Sequence, residues 1–376
     1  MTGTLPLAGI KVLDLSTLLP GPLATLMLAE AGADVIKLER PGRGDEMRTY
    51  EPTFGEASAN YAILNRGKRA YAVDFKDPAQ RDRVLEIAAD ADIVMEQFRP
   101  GVAERLGLSY DAMRERNPRI VYCSISGYGP TGQHASRAGH DLNYLAESGL
   151  LGVVTDANGS PNLPVSVLAD IAAGTYPAVM NVLLALRMAE RTGEGAHLQV
   201  SMTHNLQVLA YGYIATHQAA GTWPQPSAEL LTGGSPRYQI YPAADGRYIA
   251  CAALEEKFWQ RLVTLVGLDK RFHDDVGQEQ AVTAALTDIF ASQPSSYWRE
   301  LLAGEDVCTV VVNTWEEAVE AGHVNINSAD RVCVPGDPDL SIPTLTTSVD
   351  PTLRIPDNTR AYPSLAPLPD GHVVWA

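Results

Sequence analysis

The sequence predicts an α/β fold: a large Rossmann-like domain around a mostly parallel sheet, with a smaller α+β domain. Three observations lead there. Short apolar runs alternate with helical segments through the first half, the pattern of βαβ units. The chain is long and apolar enough for a sizeable core, with 376 residues, 45% hydrophobic and 20% charged. A Pro-, Gly-, Ser- and Thr-rich stretch at about 222–236 then separates this pattern from a second one.

Taken in order, residues 10–15 (IKVLDL) form a short apolar strand. A helix over 22–31 follows, with proline in its first turn where the missing N–H costs nothing, and Gly32 ends it. Residues 34–38, 69–75, 91–95 and 120–125 are the next strands. Residues 77–89 form a helix with Val84, Leu85, Ile87 and Ala88 on its apolar side, and helical turns occupy 102–116. Helices are expected over 143–151, 170–190 and 204–220, and a strand over 197–201. Strands near 237–241 and 247–252, joined by the turn Ala244, Asp245 and Gly246, open a small α+β domain. The Pro-rich stretch 325–376 lacks helical periodicity and is expected to wrap back in extended form. The domain limits follow: 1–221 large, 222–310 small, 311–376 returning to the large domain.

Lys and Arg number 29 against 45 Asp and Glu, a net charge of −16 that argues against nucleic acid as a partner. The charge is uneven: residues 1–200 carry −5 and residues 201–376 carry −11. The window 37–76 is locally basic, with Lys37, Arg40, Arg43, Arg48, Arg66, Lys68, Arg69 and Lys76, so a phosphate-bearing ligand could find a positive patch there. No run approaches the roughly 18 consecutive apolar residues of a membrane span, so no membrane partner is expected. The first fifteen residues lack the pattern of a secretory signal. Cys123, Cys251, Cys308 and Cys333 are scattered without a CxxC pair. That argues against a disulfide framework or zinc site and points to a reducing, cytoplasmic location.

Motifs narrow the chemistry. GxGxxG is missing after the first strand, as are HExxH, Walker A and an EF-hand loop. In CSISGYG, Ser124 stands where a nucleophile elbow needs glycine, so Ser126 makes a poor nucleophile. In RAGHDLNYL, His140 opens an apparent helix, near backbone N–H groups that can stabilise an enolate oxygen, with Asp141 as an alternative cap. From spacing alone, the alternative for His140 is a space-filling histidine. Asp170 lies in an apolar, small-residue segment, either as a helix cap or as a base with a raised pKa. Glu255 stands where a strand ends and a helix begins, the place of an ordinary first-turn carboxylate.

Five blocks in order carry a resemblance: LAGIKVLDLSTLLPGPLATLMLAEAGADVIKLERPGRGD, NRGKRAYAVDFKD, FRPGVAERLGL, AGHDLNY and LLTGGSPRYQIYPAADGRYIA. Over roughly residues 5–320 the chain resembles the class III CoA-transferase superfamily, also called CaiB/BaiF, and within it the α-methylacyl-CoA racemases most. Transferases of this superfamily typically carry a bulky aromatic residue at the place of His140 and use the Asp matching Asp170 as a nucleophile. Racemases carry GHD, with the His and the matching Asp as two bases. The GHDLNY here and the GGSPRY at 233–238 look more like the racemase form, and Glu255 matches the racemase Glu that hydrogen-bonds the catalytic His.

The resemblance thus implies a 1,1-proton transfer at the α-carbon of a 2-methylacyl-CoA through an enolate. His140 and Asp170 would be its bases and Glu255 the partner of His140. It implies no tightly bound cofactor and no metal, with coenzyme A entering as part of the substrate. It places CoA against Arg40, Val73, Asp74, Phe75, Lys76, Gln97, Phe98, Arg99, Arg105, Gly139, Asp141 and Tyr144. Arginine suits phosphate because its planar fork holds two oxygens. The resemblance also implies an interlocked homodimer with the site between the large domain of one chain and the small domain of the other. The alternatives are a CoA-transferase in which Asp170 attacks a thioester to form a mixed anhydride, and a non-catalytic CoA-binding protein. Two departures stand out. The family's terminal GEHT-like motif is replaced by PDNTRAYPSLAPLPDGHVVWA, and Asp170 is followed by Ile-Ala-Ala-Gly rather than a Gly-richer run. The acyl group is left open.

Overall fold

The structure, a computed structural model, describes residues 5–156, 158–326, 328–335, 337–355, 359–371 and 373–375. The chain forms two compact units. The first comprises Met1–Ser148, Pro164–Leu209 and Asn325–Ala376, and the second Gly149–Leu163 and Ala210–Val324.

The first unit is built on a seven-stranded parallel sheet. Its strand order is Leu365–Pro367, Arg69–Ala72, Asp34–Glu39, Lys11–Leu15, Ile93–Glu96, Val121–Ser126, Ala196–Ser201. The chain therefore builds outward from Lys11–Leu15 to one side, then restarts at Ile93–Glu96 and builds to the other. Between those two strands lies the topological switch point, where open α/β sheets leave a crevice at the strand ends.

Side chains alternate across the sheet as the strand period requires. On one face Leu13, Leu15, Ile36, Leu38 and Val94 pack on Val84, Leu85, Ile87 and Ala88 of the Pro78–Ala89 helix. The other face is not apolar throughout. Asp14, Lys37 and Glu39 point there and are almost completely buried. Lys37 Nζ pairs with Asp45 at 3.2 Å and donates to Ser16 O at 2.6 Å. Lys68 Nζ pairs with Asp14 at 3.3 Å and donates to Thr25 Oγ1 and Asn65 Oδ1, each at 2.8 Å. Burial opposes ionisation of Asp14, but Lys37 and Lys68, with the Ser16 and Thr25 hydroxyls, outweigh it and hold its pKa at about 2.

These pairings correct the reading of the basic window. Lys37 and Lys68 are buried, Arg48 pairs with Glu39 at 2.7 Å, and Arg66 pairs with Glu30. With Arg69, which pairs with Asp34, five of the eight basic residues there are spent holding the fold together, because burying a cation without an anion is costly.

The expected helix over 170–190 runs from Leu168 to Thr192 with one π turn, Ile171–Thr175. By length and hydropathy this segment could cross a membrane. Its Ala178, Val182, Ala185 and Ala189 are instead buried in the unit, as in a core helix. The expected helix over 204–220 is broken into Met202–Asn205, a turn at Leu206–Val208, and Tyr211–Ala220. The break falls where the chain passes from the first unit to the second, at Leu209 and Ala210. The expected strand over 69–75 stops at Ala72, because the Asp74 carboxylate accepts the Lys76 N–H at 3.0 Å and turns the chain.

The second unit carries a three-stranded antiparallel sheet, Thr309–Val311, Tyr248–Ala252, Tyr238–Pro242. Its hairpin turns at Ala244, Asp245 and Gly246, with Gly246 at φ +80°. Tyr241, Trp259, Phe290 and Trp298 form its core. Arg237 anchors the loop before the hairpin. Its guanidinium pairs with Asp275 at 2.6 Å and with Glu256 at 2.8 Å, and donates to Leu254 O at 3.2 Å.

Candidate active site

A cavity of about 490 Å³ opens at the switch point of the first unit. Three loops leaving strand ends line it: Thr17, Leu18 and Pro20 after the first strand, Gln97 to Pro100 after Ile93–Glu96, and Ser126 and Gly127 at the end of Val121–Ser126. His140, Tyr144, Asp170 and Met202 line it as well, with Glu46, Arg137 and Gly139.

Each loop is held from behind. Leu18 adopts φ +62°, a left-handed conformation costly for a branched residue. Its N–H donates to both oxygens of Asp45 at 3.2 Å, and Asp45 is the partner of buried Lys37. The buried ion pair thus fixes the strained turn. Gln97 Oε1 accepts the Gly21 N–H at 2.9 Å, tying the second loop to the start of the Pro20–Glu30 helix.

His140 is the N-cap of the helix Asp141–Glu147, and its ring is exposed. Its own N–H donates to Asn143 Oδ1 at 3.0 Å. That removes it from the N–H groups expected to meet an oxyanion and leaves those of Gly139 and Asp141. Gly139 is required by packing: a Cβ there would lie 2.7 Å from Tyr144 Cε1. The Tyr144 hydroxyl donates to Gly139 O at 2.6 Å, so the helix grips the turn that precedes it.

Asp141 is buried, and its Oδ1 accepts the Asp170 N–H at 2.9 Å. The Gly-His-Asp triplet therefore places Gly139 and His140 in the cavity wall and uses Asp141 to hold Asp170. Asp170 is half-buried and stands one residue before the π turn, a distortion often found at functional sites. The turn is anchored by Thr175 Oγ1 donating to Pro20 O at 2.9 Å and Asn205 Nδ2 donating to Ala173 O at 2.8 Å. Burial, and then the negative charge of Asp141, push the Asp170 pKa up from 3.8 to about 6, with His140 opposing. Burial first, then Asp170, likewise raise Tyr144 to about 12, so it stays a neutral donor.

The remaining sequence candidates fall as follows. Gln97, Phe98, Arg99, Gly139 and Tyr144 line the same cavity as His140 and Asp170. Arg40 is exposed, donates to Gly44 O at 3.0 Å and pairs at 3.3 Å with Glu46, itself a cavity residue. Val73 is wholly buried in the core. Asp74 and Lys76 are exposed, and Phe75 meets the Phe98 ring edge-on at 6.0 Å. Arg105 is exposed on the short helix Val102–Leu106. Glu255, exposed at the N-cap of Glu256–Leu265, belongs to the second unit, whereas His140 and Asp170 belong to the first.

Sequence reasoning missed Thr17, Leu18 and Met202 as cavity residues. Leu18 left no signal, since a left-handed turn is normally read from Gly or Asn. It also missed Asp141 as the residue that holds Asp170.

The family description CoA-transferase family III matches residues 7–357. Human α-methylacyl-CoA racemase is 32% identical over 325 residues, covering 84% of this chain and 80% of the relative. Human succinyl-CoA:glutarate CoA-transferase is 34% identical over 316 residues, covering 82% and 72%. A crystal structure of a CaiB/BaiF family protein from Brucella suis superposes with a TM-score of 0.79 at 29% identity, covering 96% of this chain and 97% of that one. Racemase and transferase are thus about equally similar in sequence.

Proposed function

The chain belongs to CoA-transferase family III, and from that premise we propose that it is a racemase or epimerase of 2-methylacyl-CoA thioesters. One observation carries the reading: His140 and Asp170 line one cavity, and the Asp170 pKa of about 6 makes it a base near neutral pH that can also return a proton. The thioester carbonyl acidifies the neighbouring C–H. One base takes that proton, and the electron pair passes into the enolate. The conjugate acid of the other base then delivers a proton to the opposite face. Asp170 as carboxylate and neutral His140 are the two acceptors. Asp170 as carboxylic acid and the imidazolium of His140 are the two donors. Neither step asks for a bound cofactor, and coenzyme A enters with the substrate.

Arg99, which lines the cavity together with His140, is a candidate contact for the CoA phosphates, as are Arg40 and Arg105, which do not line it. In the homodimer proposed next, Glu255 of one copy is assigned to orient His140 of the other. We also propose a homodimer. On the Tyr176–Thr192 helix, Met180, Leu184 and Met188 recur every fourth residue and are 56%, 63% and 45% exposed. An apolar stripe of this kind suits a contact with a second copy.

The experiment is α-hydrogen exchange. A single epimer of 2-methylacyl-CoA in deuterated water should gain deuterium while losing optical purity, and His140→Ala should slow both by at least about 100-fold. A transferase, with Asp170 as nucleophile, would instead move CoA to an added free acid without exchange, and that result would sink the racemase reading. The comparable identity to the succinyl-CoA:glutarate enzyme keeps this second reading in view.

A further inference from the structure

The opposite edge of the main sheet, where its strands begin, carries a separate cavity of about 300 Å³ beside Asp34, the first residue of its strand. Leu26, Ala29, Ala33 and Ile355 give it an apolar side, and Arg66 and Arg360 line it as well. Arg360 comes from the C-terminal stretch that departs from the family's usual ending, and Ile355 stands just before it.

Three carboxylates line it too, Glu30, Asp34 and Asp330, and among the described residues each has an arginine of its own. Arg66 pairs with Glu30, which also accepts the Thr347 hydroxyl. Arg69 pairs with Asp34 and Arg354 with Asp330. Among the described residues Arg360 is a fourth cation beside these three pairs, and its guanidinium has neither an ion-pair nor a hydrogen-bond partner. Its stem lies over Gly67, where a Cβ would stand 3.2 Å from Arg360 Cδ. Burial pushes its pKa below the usual arginine value, Glu30 and Asp330 oppose this, and Arg66 adds to it. The carbonyls at the end of the neighbouring helix do not offer a counter-charge either. Met27 O and Ala29 O accept from Ala31 and Gly32, and Leu28 O from Ala33.

We propose that this cavity is a second ligand site, which binds a small monocarboxylate with a compact apolar body, its carboxylate on Arg360 and its body against Ala29, Ala33 and Ile355. The one guanidinium without a partner selects a monoanion, because a second negative charge would lie beside Glu30 and Asp330 unpaired. The planar fork of Arg360 suits a carboxylate, and the volume, at the low end for ligand pockets, suits a small molecule. The site stands apart from the candidate active site and does not depend on the reaction proposed there.

Benzoate is the probe, titrated into the full chain and followed by calorimetry, with Arg360→Gln and Ala29→Leu as variants. Wild-type protein should bind one benzoate at this site. Each variant should weaken that binding at least tenfold, the first by removing the counter-ion and the second by filling the apolar end. Inorganic phosphate at the same concentration should not displace it. No benzoate binding by the wild type, undiminished binding in either variant, or displacement by phosphate would each overturn the proposal. If Arg360→Gln does not fold, Ala29→Leu carries the test with every charge in place.

Discussion

Replacing Asp141 by Asn isolates one electrostatic interaction at Asp170. The change keeps an Oδ1 that can accept the Asp170 N–H, now at 2.9 Å, and removes only the charge. Asp141 is the second cause, after burial, of a pKa raised from 3.8 to about 6. Taking its share as about one pH unit, or about 1.4 kcal/mol, Asp170 in Asp141→Asn should titrate near about 5. The sign follows from Coulomb's law, since losing a neighbouring anion favours the carboxylate. For the epimer deprotonated by Asp170, kcat/KM should fall on the acid side with the free-enzyme pKa. At pH 5 the ionised fraction rises from roughly one-tenth to roughly one-half, so Asp141→Asn should be about fivefold faster than wild type there and nearly equal at pH 8. Deuterium incorporation by purified epimers from pH 4.5 to 8.5 measures this. An acid limb that stays in place, or moves to higher pH, would refute the electrostatic account of Asp170.

Three further outcomes are expected. A carboxylate whose folded pKa is raised destabilises the fold as pH climbs from 3.8 through about 6. Asp170→Asn should therefore be more stable than wild type by up to about 2 kcal/mol at pH 8, with the gain vanishing near pH 4 in thermal melts, while exchange activity is lost. Lys37→Met leaves Asp45 and Asp14 short of a cation in a fully buried layer, and chemical denaturation should report a loss of about 3–5 kcal/mol. Gly127→Ala puts a Cβ 2.4 Å from Tyr144 Cε1, so denaturant melts should show a cost of about 1–3 kcal/mol and exchange kinetics a slower rate as the ring shifts away from Gly139.

The parallel sheet was legible because both faces of its strands are covered, which leaves short apolar runs punctuated by helices. Its buried charges were not. Lys37 reads as a surface cation in DVIKLE, and only the fold brings Asp45 and Asp14 to it across turns and neighbouring strands. His140 and Asp170 could be singled out because a histidine at a helix start and an acid among small apolar residues are both locally anomalous. That Asp141 holds Asp170 across 29 positions has no local signature. The π turn was equally invisible, since its five residues IAAGT satisfy an ordinary helical pattern. The broken helix at 206–210 shows the converse, a sequence that permits a continuous helix where the chain leaves one unit for the other.

The π turn at Ile171–Thr175 lets one stretch of chain answer to two masters. Beyond it, the helix phase is set by Ala178, Val182, Ala185 and Ala189, which must face the interior. Before it stands Asp170, which must face the cavity. In an uninterrupted α-helix those two directions are locked together at about 100° per residue. The widened turn accommodates one extra residue and so uncouples them. Deleting a single residue within 171–175 would leave the packed face where it is and swing the acid about a quarter-turn around the axis. The reactive carboxylate can thus be re-aimed by a one-residue change that the core would scarcely register.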